Sequence, residues 1–153
     1  MRRQVRSPAV AGEGLTGAWR LVSFEIERST GGRRQPYGPD PAGMLVYGPD
    51  GTMSVQIMRR GRPRFSASDP TRGGPDEAET AFRGYLAYAG TYRVNLEERA
   101  VMHRLELSWF PNWEGSELKR FFELAGDRLT LRTPPTAYAG GRSVGVLVWE
   151  RIS

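Results

Sequence analysis

From residue 15 onward the chain is a succession of short segments in which apolar and polar side chains alternate, divided by clusters of Gly, Pro and Asp. Alternation with a period of two marks a strand that buries one face. Eight such segments are legible: residues 15–28, MLVYG, GTMSVQIM, TYRVN, AVMHRLELSWF, ELKRFFEL, DRLTLRT and VGVLVWERI. Gly48-Pro49-Asp50-Gly51 is a strong turn between the second and the third. Most links are short, which makes successive strands antiparallel neighbours. The simplest closure is an all-β, eight-stranded antiparallel up-and-down β-barrel, which leaves no open edge.

One stretch departs from this rhythm. Ala78, Ala81, Phe82, Tyr85 and Leu86 recur at helical spacing, which predicts one helix over residues 75–88 capping an end of the barrel. Pro75 suits its first position, and Asp76, Glu77 and Glu79 complement the positive end of the helix dipole. Residues 59–74 read as a long loop. Residues 1–14, basic and without an apolar centre, read as a disordered tail and not as a secretory signal, leaving 15–153 as one barrel domain. With no cysteine, disulfides and thiolate chemistry are excluded, and the cytoplasm is the simplest compartment. No apolar run approaches the ~18 residues of a membrane span.

The net charge of +5 rests almost wholly on arginine, Lys119 being the one lysine. Arg59, Arg60, Arg62 and Arg64 form the densest cluster, a loop able to contact phosphates. No recognition helix or aromatic stripe accompanies it, so nucleic acid is not the expected partner. One histidine and no cysteine leave little for a transition metal, and no phosphate-binding glycine loop, dinucleotide fingerprint or nucleophile elbow is present. No cofactor is expected.

Several spaced motifs carry a family likeness. Gly17-x-Trp19 in the first strand and Trp149-Glu150-Arg151 in the last resemble the lipocalin signature. More narrowly, YGPDPAGMLVYGPDGTMSVQ, FRGYLAYAGTY, FPNW and VLVWER look like the bacterial lipocalin-like domain family, a calycin-type small β-barrel, over about residues 15–152. The resemblance implies a ligand cavity inside a barrel whose floor is Trp19 under the Arg151 guanidinium. Related barrels include passive carriers and, in natural-product pathways, cofactor-free cyclases and isomerases.

Alternation assigns side chains to the interior. Val101, His103, Leu105, Leu107 and Trp109 share the apolar face of their strand, which places the chain's single histidine inward. A hairpin around Leu96–Arg99 sets Tyr92 opposite His103 and Val94 opposite Val101, close enough for a Tyr92–His103 hydrogen bond. In the next strand Arg120 faces inward with Leu118 and Phe122; matching apolar faces sets it opposite Leu107, some four residues from the level of His103. An inward arginine needs a partner, either a ligand oxygen or a carboxylate such as Glu25. Met44, Val46, Met53, Val55 and Ile57 form an inward apolar set, and Tyr37, Trp109 and Trp113 belong to the mouth or wall.

The leading expectation is a barrel around a small hydrophobic or amphipathic molecule, acting as a cofactor-free enzyme of a natural-product-type pathway, with a non-catalytic carrier as the alternative. Read as a cofactor-free isomerase, cyclase or dehydratase, it moves a proton with His103 and Tyr92 while Arg120 polarises an oxygen. Read as a carrier, it binds in the same cavity without chemistry, and His103 is a satisfied core residue. A third reading is an interaction module that takes an acidic partner through the Arg59–Arg64 loop. Monomer and homodimer are both compatible with the chain, and no membrane partner is expected.

Overall fold

The structure, a computed structural model, describes residues 14–138 and 141–153; the expected tail lies outside them except for Gly14. The strands are β1 (Gly17–Arg28), β2 (Gly32–Arg34), β3 (Ala42–Tyr47), β4 (Thr52–Met58), β5 (Tyr85–Asn95), β6 (Ala100–Ser108), β7 (Glu117–Ala125), β8 (Arg128–Arg132), β9 (Thr136–Tyr138) and β10 (Gly141–Arg151), with a helix α1 (Pro75–Arg83). Every pairing is antiparallel, and β1 meets β10 to close the eight-stranded barrel β1-β3-β4-β5-β6-β7-β8-β10. The three-residue strands β2 and β9 extend the edges of β1 and β10 at the open end. Among the described residues no helix is long and apolar enough to cross a membrane.

Local chemistry explains the elements. The β3–β4 turn forms where Gly51 adopts φ +89° and the Asp50 carboxylate accepts from the Thr52 N–H at 3.1 Å. Helix α1 starts as expected, with Pro75 at its first position and the Glu77 carboxylate accepting from the N–H groups of Gly74 and Ser66. It ends at Gly84, short of the expected 88. Tyr85–Tyr88 satisfies helical spacing and strand alternation equally, and pairing decides between them. Met58↔Tyr85, Ile57↔Leu86 and Val55↔Tyr88 complete the hydrogen bonding of β4, which would otherwise be a bare edge.

Two other assignments are corrected by register. Tyr47 faces Met53 and Leu45 faces Val55, so these residues share the inner face, while Met44 and Val46 point outward and are exposed. Directly paired residues lie on one face, so Met44 and Val46 could not join Met53, Val55 and Ile57 inside. In β6 the extra residue Glu106 forms a bulge, Gly90 pairing with Leu105 and Ala89 with Leu107. The bulge turns Leu107 out to 69% exposure although it shares the alternation of His103 and Leu105. A second irregularity, between Leu21 and Ser23, brings Phe24 and Ile26 inward and leaves Glu25 to pair with Arg33 at 3.5 Å on the outside.

Gly90 is what lets β5 approach the bulge. A Cβ built there would lie 1.9 Å from the Arg104 carbonyl oxygen, a backbone atom that cannot swing away. Gly90→Ala is expected to destabilise the barrel by about 1–3 kcal/mol in urea unfolding, the cost of overpacking a tight site. An unchanged midpoint would contradict this account of the bulge.

The barrel is solid at one end and hollow at the other. Leu15, Trp19, Tyr47, Met53, Tyr92, Val101, Leu105, Phe122 and Leu129 pack the closed end. The indole N–H of Trp19 donates to the Leu15 carbonyl at 2.9 Å, and the Arg151 guanidinium lies 4.2 Å above its ring. Arg151 also donates to the carbonyls of Gly14 and Thr16, tying the chain start under the floor. The floor expected from Trp19 and Arg151 is the floor observed.

Candidate functional site: a cavity with a tyrosine–histidine–tyrosine wall

Above the packed end lies a cavity of about 680 Å³, a volume suited to a small organic molecule. Its walls are mostly apolar, from Phe24 and Ile26 of β1 through Val55, Ile57, Leu86, Leu118 and Leu131 to Leu147 of β10. Trp109, Phe110 and Trp113 form an aromatic rim, with Trp109 and Trp113 edge to face at 5.3 Å. Phe82 of α1 stacks on Trp109 at 5.9 Å, so the helix borders the open end. Tyr37 packs on Phe24 at 5.5 Å across from this rim.

The polar part of the wall is built on β3, β5, β6 and β7. His103 is buried, and both ring nitrogens are engaged by tyrosines: the Tyr47 hydroxyl lies 2.6 Å from Nε2 and the Tyr88 hydroxyl 2.8 Å from Nδ1. Burial, assisted by the Arg120 charge, pushes the imidazole pKa down to about 3, so His103 is neutral at physiological pH. Desolvation raises both phenols, and the Arg120 charge acts against that rise. Both tyrosines are therefore protonated as well. His103, Tyr88 and Arg120 line the cavity, whereas Tyr47 sits behind His103 in the packed end.

Tyr92 does face His103 across the β5–β6 ladder, and Val94 faces Val101, as the hairpin predicted. The Tyr92–His103 hydrogen bond does not form. The Tyr92 hydroxyl reaches down to the Gly48 carbonyl at 2.7 Å, where it pins the β3–β4 turn, and Tyr47 and Tyr88 occupy the imidazole instead. The β6–β7 register also differs from the expectation: Arg120 lies opposite Val101 and Leu118 opposite His103. This shift brings Arg120 within two residues of the level of the histidine, where its charge acts on His103, Tyr47 and Tyr88 together. Among the described residues no carboxylate forms an ion pair with it; it donates to the Lys119 carbonyl at 2.9 Å and hydrogen-bonds the Tyr88 hydroxyl.

Of the expected ligand-facing residues, Tyr37, Val55, Ile57, Trp109 and Trp113 are on the cavity wall. Met53, Leu105 and Phe122 are inward but belong to the packed end. Met44, Val46 and Leu107 are on the outside. The expected set lacked Tyr47 and Tyr88. The parity of the β3–β4 turn would have exposed Tyr47, and the alternation Leu86, Tyr88, Gly90, Tyr92, Val94 would have exposed Tyr88 had the helix been ended at Gly84. The arginine loop, for its part, is largely self-engaged: Arg59 donates to Pro36 O, Arg60 pairs with Asp40, and Arg62 donates to Ala81 O and lies over the Tyr85 ring.

The chain is thus a closed eight-stranded barrel with a Gly-x-Trp floor and a hollow upper half. The lipocalin-like domain family matches residues 16–152. The chain belongs to that family. A relative in Aspergillus oryzae, named 4'-hydroxy-3'-methoxypropiophenone carrier protein ppsC, is 34% identical over 107 residues, covering 65% of this chain and 96% of the relative. In this lipocalin-like barrel the cavity, not the outer sheet, is where hydrogen-bonding groups and apolar walls converge.

Proposed function

We propose that this barrel is a small-molecule carrier whose cavity takes an aromatic or amphipathic molecule bearing a polar oxygen. The observation that carries the reading is the set of buried polar groups on one wall of an otherwise apolar cavity, with Arg120 free of any carboxylate partner among the described residues. The relative named as a carrier of an aryl ketone supports the same class of ligand. Trp109, Trp113 and Trp149 line the cavity and report on occupancy. Titration with 4'-hydroxy-3'-methoxypropiophenone is expected to quench tryptophan fluorescence saturably, with one molecule bound per barrel and recovered unaltered. A linear, non-saturating response would contradict the proposal.

A second reading is favoured by the continuous chain of hydrogen bonds Tyr47–His103–Tyr88, which reaches the cavity beside Arg120. In that reading the barrel is a cofactor-free isomerase, cyclase or dehydratase: His103 passes a proton through the Tyr88 hydroxyl, and Arg120 holds the developing enolate. Tyr92, committed to Gly48, stands outside this chain. Hydrogen–deuterium exchange at the carbon beside the ketone separates the two. The carrier leaves the exchange rate at its buffer value, whereas the catalyst accelerates it and loses the acceleration in His103→Gln.

A further inference from the structure

Hydrogen-bond accounting at the polar wall fixes which way its protons point. Tyr47 is fully buried, and His103 Nε2 is the one hydrogen-bond partner of its hydroxyl among the described residues. If Nε2 carried the ring proton, Tyr47 would accept it and its own O–H would be left unmade in the packed end, which is costly. Tyr47 therefore donates to Nε2. Neutral imidazole has one donor and one acceptor, so its proton sits on Nδ1 and is given to the Tyr88 oxygen. The Tyr88 O–H is then left over. The Arg120 guanidinium beside it is a donor only and cannot take that proton.

Three further unpaired polar atoms belong to residues of the wall. The indole N–H groups of Trp109 and Trp149 are buried without an acceptor among the described residues, and both rings line the cavity. The buried Ser143 hydroxyl, also on the wall, is unpaired too. None of these three atoms has surface open to the cavity, so they place no demand on a ligand, and the donor that a ligand meets is the Tyr88 O–H beside Arg120.

We infer that the ligand is selected as a hydrogen-bond acceptor: a carbonyl or anionic oxygen seated on the Tyr88 O–H and Arg120, with His103 held as its Nδ1–H tautomer by Tyr47. The inference rests on the cavity-binding reading and narrows it. Protonated amines and plain hydrocarbons are disfavoured because they offer the Tyr88 O–H no acceptor. Tyr47 and His103 are positioning residues here, and Tyr88 touches the ligand.

Two measurements test this in the intact protein. Because the chain has a single histidine, its ring nitrogens can be read without assignment by nitrogen-15 NMR at neutral pH. Nδ1 is expected to be the protonated, pyrrole-type nitrogen and Nε2 the pyridine-type one; the reverse pattern overturns the inference without any ligand being involved. The second measurement compares propiophenone with propylbenzene, which lacks only the carbonyl oxygen. The ratio of the two affinities is expected to move about tenfold toward the hydrocarbon in Tyr88→Phe, the size of one lost hydrogen bond. An unchanged ratio with both probes binding overturns the acceptor claim and leaves cavity binding intact. Failure of both probes to bind wild-type protein overturns the functional reading itself, and the ligand class with it.

Discussion

Trp19→Ala is expected to lower the free energy of unfolding by about 3–5 kcal/mol, the range for deleting a fully buried aromatic side chain. Trp19 has no exposed surface, and three separate interactions converge on it. Its N–H is satisfied by Leu15, its ring is covered by Arg151, and its Cα is paired with that of Arg151 where β1 closes on β10. Removing the ring leaves a void at the closure point and strips Arg151 of the surface on which it lies. Domains of this size are stable by only about 5–15 kcal/mol, so the variant should unfold at a much lower denaturant concentration. Trp19→Phe keeps most of the apolar volume and the cation–π contact while losing the N–H, and should cost markedly less. A Trp19→Ala loss below about 1 kcal/mol, less than ordinary for a buried site, would show that the floor does not hold the barrel shut.

The second large effect is acid sensitivity from a single residue. In the unfolded chain His103 titrates near 6.5, whereas burial and the Arg120 charge hold it at about 3 in the fold. Between these values the unfolded state binds the extra proton, so stability falls as pH is lowered from 6.5 toward 3 and is fully present above 6.5. Near pH 4.5 the loss should reach about 2–3 kcal/mol at 1.36 kcal/mol per pH unit. Asp50, Asp69 and Glu77, whose carboxylates are held below their usual range by hydrogen bonds from Thr52, Thr71, Ser66 and Gly74, add to the loss mainly toward and below that point, Glu77 first. His103→Gln removes the titration while its amide supplies one donor and one acceptor for Tyr47 and Tyr88. Urea unfolding at stepped pH should therefore show a steep decline for wild type between 6.5 and 4.5 and a flatter one for His103→Gln. Parallel curves would mean that His103 is not held neutral.

The barrel was legible because most strands keep one apolar face and the turns between them carry Gly, Pro and Asp. What defeated the reading was local and physical. MLVY is apolar on both faces, so alternation could not choose between Met44/Val46 and Leu45/Tyr47; only pairing with β4 decides. Leu107 obeys the alternation of its strand and is still outside, because the Glu106 bulge changes parity and no residue pattern announces it. Tyr85–Tyr88 fits two periods at once, and the strand is chosen by the unpaired backbone of β4. The site suffered from the same ambiguities. His103 stands out as a lone inward histidine, but its partners Tyr47 and Tyr88 lie in the two ambiguous segments, MLVY in parity and Tyr85–Tyr88 in period. Arg120 was placed on the correct face and at the wrong height, since apolar matching cannot distinguish registers that differ by two or more residues.

The account stands on an oxygen-bearing aromatic molecule held against the Tyr88–Arg120 wall of the cavity. Its most direct test is a crystal structure of the barrel with a bound phenolic aryl ketone. The predicted result is a ring enclosed between the apolar walls, with a ligand oxygen within about 3.2 Å of the Tyr88 hydroxyl, hydrogen-bond distance. A ligand bound on the outer face of the sheet, or one inside the cavity with its oxygens turned away from Tyr88 and Arg120, would contradict it.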